Sequence, residues 1–423
     1  MAFGMMILKE NIHGGIMKLL ALILCLSSSL ALASTKNYRV QIDGEFIVKT
    51  NGQKLGIPVK KYLGKNFVLV ETQNKSALKG FEYFPNYKYV GNYLDIESST
   101  PNDESFEDQY HHVMIKTQTA WQVTRGDKEI VVAVTDNEFD LTHTDLKTAW
   151  YVNENEIPGD GIDNDNNGYI DDTIGWDFFK NDNDVDEDGS THGTHVAGII
   201  AATANNQIGG VGIAPNVKVM PLRWYGTDGD WTSAMILETY TYAADNGAKI
   251  INTSYNVDGM VDDEAYLQAV AYVRSKDVLI FNSAGNAGQK DPPRQKVEEL
   301  ILVCSVKSGG SFSADRRSSF SNYGSGIDIC APGDPILAPV RPRSRTRGDV
   351  EENDRYGELQ GTSMAAPAAA AVAALIWSAH PNFTDEEVRQ RLYDSADDIT
   401  DRQWPWSRSG LGAGRINAAN AVK

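Results

Sequence analysis

Three residues of this chain carry the chemistry of a nucleophile, a base and a group that orients the base: Ser363, His192 and Asp136. A serine hydroxyl is unreactive until a neighbouring base takes its proton. Imidazole suits that task near neutral pH, and a carboxylate behind it fixes its orientation and stabilises its cation. Ser363 stands in Gly-Thr-Ser-Met-Ala-Ala-Pro, residues 361–367, just ahead of an apolar, Ala-rich stretch at 365–379. A serine at a helix start is usually only a cap. Here small residues flank it on both sides, and the positive end of a helix dipole favours negative charge on its oxygen. His192 opens His-Gly-Thr-His-Val-Ala-Gly, residues 192–198, and leads into a helical run at 196–202. The His192–His195 spacing would also suit a metal, but no Glu follows at zincin spacing, so His195 is read as a packing residue. Asp136 follows the apolar run 130–134. Standing alone, it would be read as a turn former or cap.

The elements that must position these residues are legible in the apolar pattern. β-branched runs at 130–134, 217–222, 249–252, 278–281 and 300–306 alternate with helical stretches at 233–246 and 262–275. That order predicts an α/β fold, a mostly parallel sheet with helices on both faces. In such sheets, reactive groups gather beyond the carboxyl ends of the strands. The stretch 365–379, with Pro367 in its first turns, reads as a buried core helix and not a membrane span. Residues 34–99 carry short β-like runs (44–50, 66–71, 87–94) and read as a small α+β unit, and 97–108 reads as an exposed linker open to proteolysis. Before them, Lys18, the apolar run 19–26 and Ala31-Leu32-Ala33 have the form of a secretory signal, with Met17 as the expected start of translation. Leu24 stands before Cys25 where a lipoprotein signal has a small residue. The expected division is therefore 1–33, a signal; 34–99, the α+β unit; and 100–423, the catalytic domain.

The net charge of −18 over 423 residues leaves no basic face for a nucleic acid. The charge is unevenly spread: residues 153–189 hold thirteen Asp or Glu against Lys180 alone, a net of −12. Such a segment is either a solvated acidic surface or the seat of a cation. Within it, Asp163, Asp165, Asn167 and Asp171 place oxygens at alternate positions around Gly168, as an EF-hand loop does. Ile174 occupies the twelfth position, so the loop is not an EF-hand, but hard oxygens of this kind suit structural calcium. Beyond the signal only Cys304 and Cys330 remain. Both lie in apolar runs, either as one disulfide or as two buried thiols. Arg341, Arg343, Arg345 and Arg347 alternate in a segment read as solvated surface; attraction of acidic substrates and self-cleavage are the other readings.

Taken together, the motifs resemble those of the subtilisin-like serine peptidases, whose chain order Asp, His, Ser is the order here. The resemblance runs from about Pro101 to the tail Gly-Ala-Gly-Arg-Ile-Asn-Ala-Ala-Asn-Ala-Val, 412–422. It implies a subtilisin-like fold and a secreted, extracellular or periplasmic, serine endopeptidase acting through a Ser363 acyl-enzyme. Ser-Ala-Gly-Asn, 283–286, matches the family segment that supplies an oxyanion donor, which makes Asn286 that donor together with the Ser363 N–H. Ser254, Tyr255 and Asn256 would form one substrate-binding strand and Gly229, Asp230 and Trp231 the facing one. Asp177, Asp182, Asp184 and Asp186 fall where the family has calcium loops. Residues 36–96 would be a prosegment that assists folding and then inhibits. The implied partners are a protein or peptide substrate and the chain's own propeptide, with no nucleic acid, no membrane span and a monomeric state. The sequence departs from the family where Asn137-Glu138 follows Asp136, placing a second negative charge near His192, and where side chains replace glycine in both substrate strands. Two other functions stay compatible with these residues: a catalytically silent scaffold, and a peptide transferase using the same acyl-enzyme.

Overall fold

The computed structural model describes residues 38–423 except 52, 64–65, 91–99, 187–189, 227–231, 310–313, 343–354 and 404–408. The signal pattern at 1–33 therefore lies outside the described residues. The chain divides into two compact units, Met1–Glu97 and Ser98–Lys423.

In the first unit, β1 (Tyr38–Lys49), β2 (Val59–Tyr62), β3 (Phe67–Glu71) and β4 (Glu82–Val90) form an antiparallel sheet in the order β2-β3-β1-β4. Residues two apart share a face of a strand, so Phe46, Val48, Val68 and Val70 sit together, closed over by Leu78. Among the described residues its only helical turn is Lys75–Leu78, capped by the Asn74 side chain.

The second unit is built on a seven-stranded sheet of β5 (Val131–Asp136), β6 (Trp176–Asp177), β7 (Lys218–Arg223), β8 (Ala248–Thr253), β9 (Leu279–Ser283), β10 (Leu300–Lys307) and β11 (Ile329–Asp334), in the order β11-β10-β9-β8-β5-β7-β6. Every neighbouring pair is parallel. Helices cover both faces, which is why the strands read as unbroken apolar runs. Val132 and Val134 pack on one side with α1 (His192–Ala201) and α4 (Thr362–Ala379). Val131 and Ala133 pack on the other with α2 (Ser233–Asp245) and α3 (Glu264–Ser275). α4 is the one helix among the described residues long and apolar enough to cross a membrane, and 83% of it is buried inside the unit, as a core helix is. Pro367, the sixth residue of α4, cannot donate to the Ser363 carbonyl one turn back, which accepts from the Ser254 hydroxyl instead.

Two expectations are revised. The segment expected as an exposed linker is docked from residue 101 onward: Asp103 accepts the N–H groups of Asn205 and Asn206, and Phe106 is buried with Trp121 and Val211. Acidic composition concealed that alternate residues face inward. Cys304 and Cys330, left open between thiols and a disulfide, stand opposite each other on β10 and β11 and are joined as a disulfide. One short antiparallel pair, β12 (Ile336–Pro339) with β13 (Tyr356–Leu359), follows β11.

Candidate active site

Asp136 ends β5 and has no exposed surface. A carboxylate in that position needs donors, and three reach it. The Asn137 N–H donates at 2.8 Å, His192 Nδ1 lies 2.9 Å from each carboxylate oxygen, and the Tyr225 hydroxyl donates at 3.4 Å. His192 is the first residue of α1, and an ideal Cβ on Gly193 would stand 2.3 Å from the Glu138 carbonyl oxygen. Glycine is what lets α1 come this close to the turn after β5. The imidazole keeps 27% of its surface exposed. Burial opposes its protonation, but the charge and hydrogen bond of Asp136 outweigh that and hold His192 above its ordinary pKa. Glu138, the second charge expected near His192, is buried and acts on the Tyr225 hydroxyl, as a minor partner beside burial and Asp136.

Ser363 is the second residue of α4. Its hydroxyl donates to Ser254 O at 3.0 Å, and the Ser254 hydroxyl donates back to Ser363 O at 2.8 Å. Thr135 pairs with Thr253 in the β5–β8 register. Asp136 and Ser254 therefore follow on neighbouring strands, about 4.8 Å apart. This link brings Ser363 to the same carboxyl edge as the Asp136–His192 pair. Asn286 Oδ1 accepts both the N–H and the hydroxyl of Thr362, each at 2.9 Å. Two donors on one atom identify it as the amide oxygen, which leaves Nδ2 facing outward. An ideal Cβ on Gly361 would lie 3.3 Å from Asn286 Nδ2 and 3.6 Å from Ser363 N. Both nitrogens thus lie beside Gly361, and the Ser363 N–H, in the first turn, has no carbonyl of its own helix to bond.

Of the residues read as substrate-binding, Ser254 is buried against Ser363, whereas Tyr255 turns its hydroxyl toward Thr135 and Tyr240 and stacks with Trp224. Asn256 is exposed, with Oδ1 accepting from Asp258 N and Arg294. Gly229, Asp230 and Trp231 lie outside the described residues. A cavity of about 350 Å³ opens beside Ser363, between the segments that follow β8 and β9.

Two arginines hold the surroundings in place. Arg223 Nε donates to Asn137 O at 2.6 Å and its guanidinium pairs with the fully buried Asp177. Arg341, expected at a solvated surface, is mostly buried: its N–H donates to Thr191 Oγ1 at 2.9 Å, and its guanidinium bonds Phe139 O and pairs with Asp186. The Phe139 carbonyl and the Asp186 carboxylate supply the acceptors that hold its guanidinium there. Arg343, Arg345 and Arg347 lie outside the described residues.

The acidic segment sorts into distinct arrangements. Glu156, Asp165 and Asp172 converge, their oxygens within 4.8 Å of one another, with Glu156 and Asp172 buried. Among the described residues no Lys or Arg pairs with any of the three. Asn153 Nδ2 bridges Asp165 and Asp172 at 2.9 and 3.0 Å, and Asn167 Nδ2 reaches Asp172 at 2.8 Å. Asp163 and Asp171 instead fold back on the loop, accepting from the N–H groups of Asn167 and Gly168, and of Asp160 and Gly161. Asp177, Asp182, Asp184 and Asp186 are not gathered: Asp177 is taken by Arg223, Asp182 and Asp184 accept from Asp184 N and Asp186 N, and Asp186 pairs with Arg341. Glu156 and Asp172 were not named from the sequence. Glu156 lies outside the alternating loop, and only folding brings it in. A second missed pair is Asp103 and Asp145, bridged by Asn206, whose N–H donates to Asp103 and whose Nδ2 donates to Asp145 at 2.7 Å. Burial, with the charge of Asp103 adding to it, pushes Asp145 up to about 7.

A parallel α/β sheet with a carboxylate–imidazole pair and a serine at its carboxyl edge has the form of a serine hydrolase. Residues 127–414 match the subtilase family, and the chain belongs to it. It is 33% identical over 373 residues to the thermophilic serine proteinase of Bacillus sp. (strain AK1), covering 86% of this chain and 80% of that one. It is 33% identical over 326 residues to thermitase of Thermoactinomyces vulgaris, covering 77% and 99%. The halolysin-like extracellular serine protease Nep of Natrialba magadii is 32% identical, covering 76% and 52%. Among solved structures, a protease of Pseudoalteromonas arctica PAMC 21717 aligns with a TM-score of 0.58 at 28% identity, covering 76% of this chain and 98% of that one.

The pair's electrostatics give a direct expectation. His192 titrates above pH 6.5, so the pair's stabilisation is full below 6.5 and is lost as pH rises through the folded value. In Asp136→Asn the burial effect remains without its opponent, and the His192 ring, followed by NMR, titrates below 6.5. An unmoved titration contradicts this account.

Proposed function

We propose that the chain is a secreted serine endopeptidase with Asp136, His192 and Ser363 as its catalytic residues. The observation that carries this is the 2.9 Å Asp136–His192 contact at the strand edge where Ser363 bonds Ser254 and where two N–H donors lie beside Gly361. The Ser363 hydroxyl turns from Ser254 O, gives its proton to His192 Nε2, and its oxygen attacks the peptide carbonyl. The oxyanion is received by Asn286 Nδ2 and the Ser363 N–H, donors already aimed before charge develops. His192 then protonates the leaving amine, and water, activated by the same imidazole, releases the acyl group. Asp136 holds the ring so that Nδ1 stays the protonated nitrogen. Loss of the Asn286 side chain costs about a hundredfold or more in kcat.

Secretion is supported by the signal pattern at 1–33 and by the relative from N. magadii described as extracellular. The antiparallel unit before residue 98 is a folding template and inhibitor; a parallel sheet rich in non-local contacts folds slowly, which gives a template physical work to do. Calcium is the structural cofactor. The fit rests on the donor set: Glu156, Asp165 and Asp172 offer only hard carboxylate oxygens, two of them buried, and the Asn153 and Asn167 amides between them present oxygens once turned over. Asp103 and Asp145 offer a second pair of buried carboxylates, joined by the half-buried Asn206. A cation at either place neutralises carboxylate repulsion and takes no part in bond cleavage.

Ser363→Ala lowers kcat for peptide hydrolysis by about 10⁶-fold, and the variant accumulates as a precursor that keeps the residues before Pro101. Hydrolysis near the wild-type rate, in protein free of other peptidases, contradicts the nucleophile. Calcium at a hundredfold excess over its Kd stabilises the fold by about 2.7 kcal/mol. At fixed ionic strength, chelator shortens the half-life of thermal inactivation, and Asp165→Asn with Asp172→Asn shortens it with calcium present. Equal half-lives with and without chelator contradict a calcium site.

A further inference from the structure

The cavity of about 350 Å³ beside Ser363 has the nucleophile and Asn286 on its rim, so it takes the side chain of the residue whose carbonyl is attacked. Apart from Tyr255 and Ala287, its lining residues are polar or glycine. Its base is a guanidinium, Arg294, whose side chain is only 2% exposed. Nε and Nη2 of Arg294 each lie 2.9 Å from an oxygen of Asp258, Nη2 also donates to Asn256 Oδ1 at 2.6 Å, and Nη1 donates to Ser283 O. With Nη1 also within 3.5 Å of Asn282 Oδ1, every N–H of the guanidinium has a partner in the protein. Asp258 is different. It is 22% exposed; Oδ1 accepts from both the Arg294 backbone N–H at 3.0 Å and Nε, whereas Oδ2 accepts from Nη2 alone and keeps lone-pair capacity. Burial works against its charge, but the hydrogen bonds and charge of Arg294 prevail and keep its carboxyl below the ordinary range. Beside the neutral amides of its lining, the charged group with spare hydrogen-bonding capacity that the cavity offers is therefore an acceptor, Asp258 Oδ2.

From this geometry we infer that the enzyme selects, at the residue supplying the acyl carbonyl, a side chain that ends in an N–H donor: glutamine, lysine or arginine. This rests on the reading of Ser363 as the nucleophile. An aliphatic or aromatic side chain strips water from Asp258 and returns no hydrogen bond, which is the costly case for a polar group. A carboxylate meets Asp258 without reaching a free N–H of Arg294. An amide or a cation replaces the lost water. Sites built to bond a polar group discriminate strongly against analogues lacking it.

The test is the mature enzyme on a matched series of chromogenic peptides that differ only at that residue, with Gln, Lys, Leu, Phe or Glu. The expected kcat/KM for Gln and Lys exceeds that for Leu and Phe at least tenfold, with Glu lowest. Leu or Phe cleaved best by enzyme that a fluorophosphonate labels at Ser363 overturns the inference and leaves the peptidase reading standing; absence of labelling removes both. The double variant Asp258→Asn/Arg294→Gln removes both charges together, leaving neither unpaired. In it the Lys-over-Glu ratio falls at least threefold, and an unchanged ratio overturns the inference. Should the variant fail to fold, the wild-type series decides alone.

Discussion

The hydrogen bond between Asp136 and His192 joins a carboxylate without exposed surface to an imidazole still open to solvent. Each group needs the other. A buried carboxylate requires donors, and a buried imidazole resists charge unless an anion stands behind it. The neighbouring structure meets both demands. Gly193 admits α1 to the turn after β5, and Arg223 fixes the Asn137 carbonyl through its pair with Asp177. Arg341 ties the residue before His192 to Asp186. The parallel sheet supplies the rest, because register alone sets Asp136 beside Ser254, and Ser254 beside Ser363.

The same physics explains the two fates of the acidic segment. Asp177 and Asp186 are met by arginines, and removing one partner of a fully buried pair such as Asp177–Arg223 costs about 3–5 kcal/mol. Glu156, Asp165 and Asp172 have amides and N–H groups but no cationic side chain among the described residues. Fixed dipoles orient such a cluster without cancelling its charge. Ion pairs neutralise Asp177 and Asp186, whereas the loop cluster of Glu156, Asp165 and Asp172 keeps its charge. Under the proposed calcium reading, fragility on losing the cation belongs to the loop ahead of α1 and not to bond cleavage.

Much of this was readable before folding. Strands buried on both faces leave continuous β-branched runs, and each run proposed for the second unit lies in or beside a strand of the seven-stranded sheet. The segments around His192 and Ser363 stood out because small residues flank each of them at a helix start. Legibility ended where a role depends on long-range contact. Glu156 joins Asp165 and Asp172 only through the fold of its loop, and Asp103 meets Asn206 across a hundred residues of chain. Arg294 gave no signal at all, since a lone arginine after two prolines looks like surface until Asp258 and Ser283 close around it. Composition misled at residues 101–108, where acidic residues alternate with buried ones.

The central claim is that Asp136, His192 and Ser363 act as one unit, and groups that act as a unit are strongly non-additive. Measuring kcat for the three single alanine variants and for the triple variant tests it most directly. The account predicts that the triple variant is no slower than Ser363→Ala alone, within experimental error. If the three single losses multiply instead, the residues contribute independently and the proposed relay from Asp136 through His192 to Ser363 is contradicted.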